Sequence, residues 1–238
     1  MNEVGIALLG LGNVGRAFID YLSNAVDPGM TLRIRAVADS SGGVVVDTPD
    51  QLAQLLRHKE SSGNVREFAQ ESAIAGSRRF IKRLRSCGVA VLVESLPTNI
   101  KNGQPGLDLM RAALADGISV VTVDKGPLVH GFDRLVEAAR AGGSTLRFSG
   151  TTGVTLPEEI AREGVIEIRG VLNGTTNYVL NEMLEKSVSF QDALTRAQEA
   201  GIAEPDPSLD VEGWDTACKT LILAKASISG LSWGIELS

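Results

Sequence analysis

Short, uninterrupted apolar runs alternate along the first part of the chain with longer stretches in which apolar residues recur at helical spacing. Apolar runs of about four to eight residues are typical of strands buried on both faces, and the amphipathic stretches predict helices. The predicted strands are 4–9, 32–38, 89–94, 118–123 and 144–149. The predicted helices are 13–25, 49–57, 66–86, 106–116 and 131–141. Their alternation favours an α/β fold built on a Rossmann-type, doubly wound parallel sheet.

After residue 150 the pattern changes, and helical stretches follow one another more closely. One partly solvent-facing strand precedes three predicted helices: 163–173, then 174–186, 189–201 and 210–228. This arrangement predicts a smaller α+β substrate domain, which we expect to be incomplete because no clear closing element follows the last helix. We place the domain boundary so that the first domain covers 1–143 and the second covers 144–238.

A glycine-rich segment, GLGNVG, joins the first predicted strand to the first predicted helix. Its G-x-G-x-x-G spacing in that context predicts a dinucleotide-binding domain. Gly10 permits the tight turn, Gly12 lets the backbone approach a pyrophosphate, and Gly15 lets the helix pack closely on the sheet. The N–H groups of the helix start, at Asn13 and Val14, complement the phosphate charge. A plain strand–turn–helix corner is the alternative interpretation.

The residues that follow the second predicted strand bear on the choice of cofactor. Asp39 ends that strand, close to the place where an acid binds the ribose 2′-hydroxyl of NAD. Ser40 and Ser41 are small and polar, and together with nearby arginines they leave room for the 2′-phosphate of NADP. The residues therefore predict NAD or NADP as cofactor and leave the preference open. Asp39 as a simple turn residue is the alternative.

Composition and charge narrow the class of protein further. The chain has 238 residues, 43% of them hydrophobic and 22% charged, which is ordinary for a soluble globular protein. A formal net charge of −6 without a basic stripe argues against nucleic acid as a partner. The apolar runs fall short of the roughly 18 residues that a membrane helix needs. The two cysteines show neither metal spacing nor a disulfide framework, so we expect a reduced, cytoplasmic setting.

The segment GIAEPDPSLDVEGWDTACK, residues 201–219, concentrates acidic side chains before one lysine. Asp215 and Lys219 lie four residues apart on a predicted helix and therefore share a face. They form either an exposed ion pair, worth about 0.3–0.5 kcal/mol, or part of a site. The apolar flank and Trp214 favour a partly buried helix and hence the site.

The other acids of this segment divide between binding and local structure. Glu204 lies in the segment AEPDP, whose prolines keep it from rearranging freely, and a rigid carboxylate there suits an ammonium group of a substrate. Asp206, Asp210 and Glu212 are expected to shape the turn and to supply negative charge to the helix start. Lys125 follows the predicted strand 118–123, at the strand end where open α/β sheets bind ligands. An exposed loop lysine is the alternative there.

Several segments together resemble one family, the homoserine dehydrogenases. The matching segments, in the order of that family, are GLGNVG, VADSSG, VLVESLPTN, GISVVTVDKGPL, GVLNGTTNYVL and AEPDPSLDVEGWDTACK. The resemblance spans nearly the whole chain, and its last two segments are long and specific. It implies an oxidoreductase that interconverts L-homoserine and L-aspartate 4-semialdehyde with NAD(P), acting on a small molecule and assembling as a homodimer.

The resemblance also implies site residues. The catalytic residues would be Lys125, Asp215 and Lys219. The substrate-binding residues would be Glu204, Asp215 and Thr175. Lys125 and Asn173 would border the cofactor, in addition to the glycine loop, Asp39 and Ser40. A positioned lysine can carry or relay the proton that the alcohol loses, and the sequence leaves open which of the two lysines does so.

Three departures from the family pattern modify these expectations. The loop SGTTGVTLP would bind a monovalent cation, Na⁺ or K⁺, through the backbone carbonyls of Ser149, Thr152 and Val154, but it has fewer glycines than usual. Ile202 stands where many members carry tyrosine. Members also usually continue beyond the last residue of this chain, so we expect a truncated form. A non-catalytic dinucleotide-binding remnant, or a dehydrogenase of another small amino acid or aldehyde, therefore remains an alternative.

Overall fold

The structure, a computed structural model, describes residues 2–24, 29–68, 71–72, 78–153 and 165–227. The contacts divide the chain into two compact units, Met1–Gly153 and Val154–Ser238. The division falls after Gly153 rather than after residue 143, because a short strand at Leu146–Arg147 pairs with the sheet of the first unit. Within the described ranges, no helix combines the length and the apolar character that crossing a membrane requires.

The described residues of the first unit form a seven-stranded sheet with the order β4-β3-β2-β1-β5-β6-β7. Its strands are β1 (Asn2–Leu9), β2 (Met30–Asp39), β3 (Gly42–Val45), β4 (Glu71–Ser72), β5 (Val89–Glu94), β6 (Ser119–Thr122) and β7 (Leu146–Arg147). The pairs β1–β2, β1–β5, β5–β6 and β6–β7 are parallel, which confirms the predicted Rossmann-type sheet. The pairs β2–β3 and β3–β4 are antiparallel and were not predicted.

The order of strands reverses at β1, because the chain continues to β2 on one side and later to β5 on the other. In open α/β sheets the carboxyl ends of the strands at such a reversal form the ligand-binding crevice. The apolar runs of these strands are buried, with Ala7, Leu8, Val37 and Leu92 fully inaccessible to solvent. Full burial of one such leucine contributes about 1.5–3 kcal/mol to folding, which makes these strands a rigid support for the loops at their ends.

The helices of the first unit connect these strands. They are α1 (Asn13–Asn24), α2 (Pro49–Ser62), α3 (Arg78–Ser86), α4 (Gly106–Ala115), α5 (Lys125–Gly142) and α6 (Ser149–Thr152). The prediction of one helix over 66–86 is wrong in its first part, where a 3₁₀ turn at Arg66–Phe68 precedes β4 and β4 pairs with β3. Helix α5 begins well before the predicted residue 131, because the side chain of Asp124 caps its start by accepting a hydrogen bond from the Gly126 N–H.

The described part of the second unit consists of helices α7 (Gly174–Lys186), α8 (Phe190–Glu199), α9 (Ser208–Val211) and α10 (Trp214–Ser227). A small core between α7 and α8 contains Val179, Leu194 and Ala197. The strand predicted over 163–173 is not formed at the described residues 165–173. A strand needs a hydrogen-bonding partner, and residues 165–227 contain no second extended segment that pairs with it. Ile166 there is 99% exposed.

Candidate active site

The glycine loop follows β1 directly and has the geometry that a dinucleotide requires. Gly10 has a φ of 98°, and a Cβ atom on it would lie 2.4 Å from the backbone oxygen of Ser95. A Cβ atom on Gly15 would lie 2.0 Å from the backbone oxygen of Gly10, so helix α1 packs against the loop without space for a side chain. No atom lies within 4 Å of the corresponding position on Gly12. The loop therefore fits a pyrophosphate, with open space at the one glycine where a ligand is expected.

Helix α1 begins at Asn13, immediately after this open space. Asn13 and Val14 are exposed, and the first turn closes with a 3.0 Å hydrogen bond from the Arg16 N–H to the Gly12 carbonyl. The first N–H groups of a helix have no partner within the helix and carry partial positive charge. The start of α1 is thus suited to bind an anionic group beside Gly12.

Asp39 ends β2 and is already held on both of its carboxylate oxygens. Its Oδ1 accepts hydrogen bonds from the N–H (2.7 Å) and the hydroxyl (2.5 Å) of Ser41, and its Oδ2 accepts one from Lys59 Nζ (2.6 Å). Burial raises the pKa of Asp39, but the hydrogen bonds from Lys59 and Ser41 outweigh it and hold that pKa below its usual value. The neighbouring Ser40 is exposed in the turn between β2 and β3.

Lys59 was not singled out from the sequence, although its ammonium lies in this part of the site. It is the eleventh residue of α2 and donates a second hydrogen bond, of 2.7 Å, to the carbonyl of Gly63 just beyond the helix end. Its side chain is only 14% exposed. Asp39 and Lys59 are separated by 20 residues, so no local spacing in the sequence indicates that they pair.

Lys125 is the first residue of α5 and follows β6, as predicted for a residue at the carboxyl end of a strand. Two buried acids lie close to it in the chain or in the sheet: Asp124 directly precedes it, and Glu94 ends the neighbouring strand β5. Glu94 is fully buried and Asp124 is 2% exposed. The sequence did not identify either acid, although an acid at the end of the apolar run VAVLVE is an available signal.

These two acids have raised pKa values. Burial and then the charge of Asp124 raise the pKa of Glu94 to about 7. Burial raises the pKa of Asp124 to about 6, against hydrogen bonds from Gly126 and Thr98 that favour its ionised form. Perturbed acids in a ligand-binding crevice are typical of functional sites, and here they lie at the carboxyl ends of β5 and β6.

The second unit assembles another group of predicted site residues around Asn173. Asn173 caps α7, and its Oδ1 accepts a 2.8 Å hydrogen bond from the Thr176 N–H. Its Nδ2 donates to Asp210 Oδ1 at 2.7 Å and to Asp215 Oδ2 at 2.9 Å. Lys219 Nζ lies 2.8 Å from Asp215 Oδ2. The structure therefore brings Asn173, Asp215 and Lys219 together, and it adds Asp210, which the sequence analysis assigned only to the turn and to the helix start.

The Asp215–Lys219 pair is not an exposed ion pair. Their side chains are 11% and 18% exposed, which confirms the expected partly buried helix. Thr175 is buried, and its hydroxyl donates a 3.3 Å hydrogen bond to the carbonyl of Ile202. Glu204, two residues further on, is exposed. Thr175 is thus linked to the segment that carries Glu204, while Glu204 lies outside the hydrogen-bonded group around Asn173 described above.

The predicted cation loop is described only in part. Ser149 and Thr152 bound the short helix α6, and the Ser149 carbonyl accepts a 3.2 Å hydrogen bond from the Gly153 N–H. Val154 lies outside the described residues. Among the described residues, no group of three or more His, Cys, Asp or Glu side chains could hold a metal ion. A cation held by backbone carbonyls is a different kind of site and stays a prediction.

Two family models match this chain, one for each unit. Residues 10–149 match the model described as homoserine dehydrogenase, NAD binding domain. Residues 153–233 match the model described as homoserine dehydrogenase. The first match covers the glycine loop, Asp39 and Lys125, and the second covers Asn173, Asp215 and Lys219.

Individual proteins and structures give the same result. The chain is 32% identical to the homoserine dehydrogenase of Methanocaldococcus jannaschii, over 97% of this chain and 70% of that protein. It is 34% identical to the NAD(+)-dependent homoserine dehydrogenase of Pseudomonas canavaninivorans, over 94% of this chain and 66% of that protein. A hyperthermophilic archaeal homoserine dehydrogenase in complex with NADPH superimposes with a TM-score of 0.73 and 27% identity, over 94% of this chain and 70% of that one.

Proposed function

The chain belongs to the homoserine dehydrogenase family, and on this premise we propose that it interconverts L-homoserine and L-aspartate 4-semialdehyde by hydride transfer with NAD(P). The main structural support for this proposal is the partly buried group of Asn173, Asp215 and Lys219, which lies in the unit that matches the homoserine dehydrogenase model. The two alternatives, a non-catalytic remnant and a dehydrogenase of another small substrate, are not favoured, because the matches extend over both units.

The first unit binds the cofactor in this proposal. NAD(P), when bound, supplies the hydride acceptor or donor, so the protein has to provide binding, orientation and a path for the proton. Gly10 and Gly15 shape the loop, Gly12 leaves open space, and Asn13 and Val14 offer N–H groups to the pyrophosphate. Lys125, at the carboxyl end of β6, is positioned on the rigid sheet for a role at the reacting end of the cofactor.

The second unit holds the substrate and its proton. Lys219 is oriented by two acceptors, Asp215 Oδ2 and the carbonyl of Leu172, each at 2.8 Å. An ammonium has three donors, so one N–H of Lys219 is left to point at a substrate oxygen. Asp215 stabilises the charged lysine in this orientation, and Glu204 offers an exposed carboxylate to the ammonium group of homoserine. Thr175 supports this binding by fixing the carbonyl of Ile202.

For the choice between NAD and NADP, we propose that the Asp39–Lys59 pair serves both cofactors. Asp39 supplies an acceptor for a ribose 2′-hydroxyl, and Lys59 supplies a cation for a 2′-phosphate, with one of its three donors remaining after Asp39 and Gly63. The relatives support a family that uses both, since one is named NAD(+)-dependent and another was solved with NADPH. A homodimer and a Na⁺ or K⁺ ion at 149–154 belong to the same proposal and rest on the family resemblance. A cytoplasmic location belongs to it as well and rests on the two cysteines, which show no disulfide framework in the sequence.

A substrate panel tests the proposed function. The purified chain should oxidise NADPH or NADH when L-aspartate 4-semialdehyde is added, and it should reduce NADP⁺ or NAD⁺ with L-homoserine. L-serine and L-threonine, which present a hydroxyl at a different distance from the ammonium group, serve as matched controls and should react at least about a hundredfold more slowly. Binding of NADPH without turnover of either substrate would favour the non-catalytic alternative instead.

A further inference from the structure

The two buried acids Glu94 and Asp124 have no part in the proposed binding of substrate or cofactor, yet among the described residues they are the two most deeply buried acids. A fully buried carboxyl group carries a desolvation cost and is retained only where its hydrogen bonds are well satisfied. Both oxygens of Glu94 accept hydrogen bonds: Oε1 from the Leu96 N–H at 2.9 Å and Oε2 from the Thr122 hydroxyl at 2.5 Å. Glu94 therefore joins the end of β5 to the end of β6.

The hydrogen bonds continue from Thr122 to the start of α5. The hydroxyl of Thr122 accepts a 2.9 Å hydrogen bond from the Asp124 N–H, so its own proton is directed to Glu94. Asp124 Oδ1 in turn accepts a 2.9 Å hydrogen bond from the Gly126 N–H. Lys125 lies between Asp124 and Gly126, and both of its neighbours are thus fixed by a chain of hydrogen bonds that begins at Glu94.

The packing around the acids restricts the same turn. A Cβ atom on Gly106 would lie 2.9 Å from Pro127 Cγ, 3.1 Å from Asp124 Oδ2 and 3.6 Å from Glu94 Oε1. The start of α4 thus closes over both carboxyl groups and over Pro127 of α5. Among the described residues, the ionisable groups that act on this pair are the two acids themselves and Lys125, which acts on Asp124.

We propose that Glu94 is a positioning residue for Lys125: through the Thr122 hydroxyl and the Asp124 backbone, it fixes the turn between β6 and α5 from which Lys125 projects. The side chain of Lys125 is long and has many rotamers, so its ammonium can be placed accurately only if its backbone is rigid. Loss of the carboxyl group or of the hydroxyl should loosen this turn while the sheet beneath it stays folded.

Two isosteric substitutions and one rescue test the proposal. Glu94→Gln removes the carboxyl group and Thr122→Val removes the hydroxyl group from this series of hydrogen bonds, each with little change in side-chain volume. Thr122→Ser keeps the hydroxyl. The first readout is the rate at which acetic anhydride acylates Lys125 in the cofactor-free protein, measured by mass spectrometry relative to the exposed Lys101 of the same unit. The second readout is turnover with L-aspartate 4-semialdehyde together with the dissociation constant for NADPH.

We expect the rate of Lys125 acylation, relative to that of Lys101, to rise about threefold to tenfold in Glu94→Gln and Thr122→Val. This is the effect that one lost hydrogen bond would have on the opening of the turn. Thr122→Ser should match the parent chain. Turnover should fall about tenfold in the first two variants, with NADPH affinity within about twofold of the parent, because the glycine loop is untouched. Asp108→Asn, which removes an exposed acid from α4, should change neither readout.

Two outcomes would overturn the proposal. One is Lys125 acylation equal to the parent in both Glu94→Gln and Thr122→Val, even if both variants melt at lower temperature, since a purely structural role predicts that result. The other is Thr122→Ser behaving like Thr122→Val. The turnover readout rests on the proposed function and the acylation readout does not, so an inactive parent chain would count against the proposed function and leave the role of Glu94 to be decided by acylation.

Discussion

The ammonium nitrogen of Lys219 lies 2.8 Å from the backbone oxygen of Leu172, the residue directly before the α7 cap Asn173. Lys219 is thereby bonded to the start of α7 as well as to Asp215 on its own helix. Asn173 Nδ2 donates a 2.9 Å hydrogen bond to the same oxygen of Asp215, Oδ2, that Lys219 contacts. Asn173, Asp215 and Lys219 thus form one hydrogen-bonded group that joins the start of α7 to α10, whereas the i, i+4 spacing alone would suggest only an exposed ion pair.

The glycine loop provides a matched pair of substitutions. Gly12→Val places its side chain in open space, so the chain should fold as the parent does and lose cofactor affinity by about a hundredfold or more. Gly15→Val has to fit a side chain where a Cβ atom already lies 2.0 Å from the Gly10 oxygen, so it should lower stability first. Thermal melting with and without NADPH separates the two effects. Parental NADPH affinity in folded Gly12→Val would remove the loop from the binding site.

The Asp39–Lys59 pair should set the preference between the cofactors. Lys59→Ala removes the cation and should reduce NADPH affinity more than NADH affinity, by about fivefold to fiftyfold in the ratio, as for one charge-assisted hydrogen bond of about 1–2.3 kcal/mol. Asp39→Ala should change the ratio in the opposite direction. Dissociation constants of both cofactors at one ionic strength provide the measurement. Equal changes for NADH and NADPH in both variants would show that the pair lies outside the adenosine site.

Glu94 should make the stability of the first unit depend on pH. Its pKa is raised to about 7 in the folded protein from an ordinary value of 4.5, so the folded state binds more protons than the unfolded state between these values. The contribution of Glu94 to the free energy of unfolding is therefore fully present below about pH 4.5. It decreases as the pH rises to about 7, by about 3 kcal/mol in total.

Glu94→Gln should remove this contribution. The free energy of unfolding of the variant, measured by urea titration from pH 5 to pH 8, should decrease less with pH than that of the parent. Ionisable groups that the parent and the variant share contribute equally to both curves, so their contributions cancel in the difference. Asp39 is one of them: its lowered pKa makes stability rise, rather than fall, with increasing pH, and does so in a more acidic range. Parallel curves for parent and variant would mean that Glu94 does not titrate in this range.

The features that the sequence predicted correctly are those encoded by neighbouring residues. The apolar run 89–94 coincides with β5, and the stretch 174–186 coincides with α7, because periodicity and the Asn173 cap define their ends locally. The glycine loop is local in the same way, since its three glycines and the flanking strand and helix are contiguous.

The features that the sequence did not reveal depend on contacts between distant residues. Strands β3 and β4 are short, and β3 begins with two glycines, so β3 forms only because β2 offers an edge to pair with, and β4 pairs in turn with β3. Lys59 reaches Asp39 across 20 residues, and Asn173 reaches Asp210 across 37. The strand expected at 163–173 is the opposite case, a local pattern without a distant partner. Its alternating pattern is present in the sequence, but among the described residues no segment pairs with it, so no strand forms at 165–173.

The most direct test of the proposed chemistry is the turnover of Lys219→Ala, compared with Lys101→Ala as a control for loss of an exposed lysine. Lys219 is proposed to hold the proton of the reacting oxygen, and such acid–base assistance is worth about 10²–10⁴-fold in rate. We predict a loss of that size in NADPH oxidation with saturating L-aspartate 4-semialdehyde, with NADPH affinity unchanged and with Lys101→Ala equal to the parent. Parental turnover and parental substrate affinity in Lys219→Ala would contradict the account.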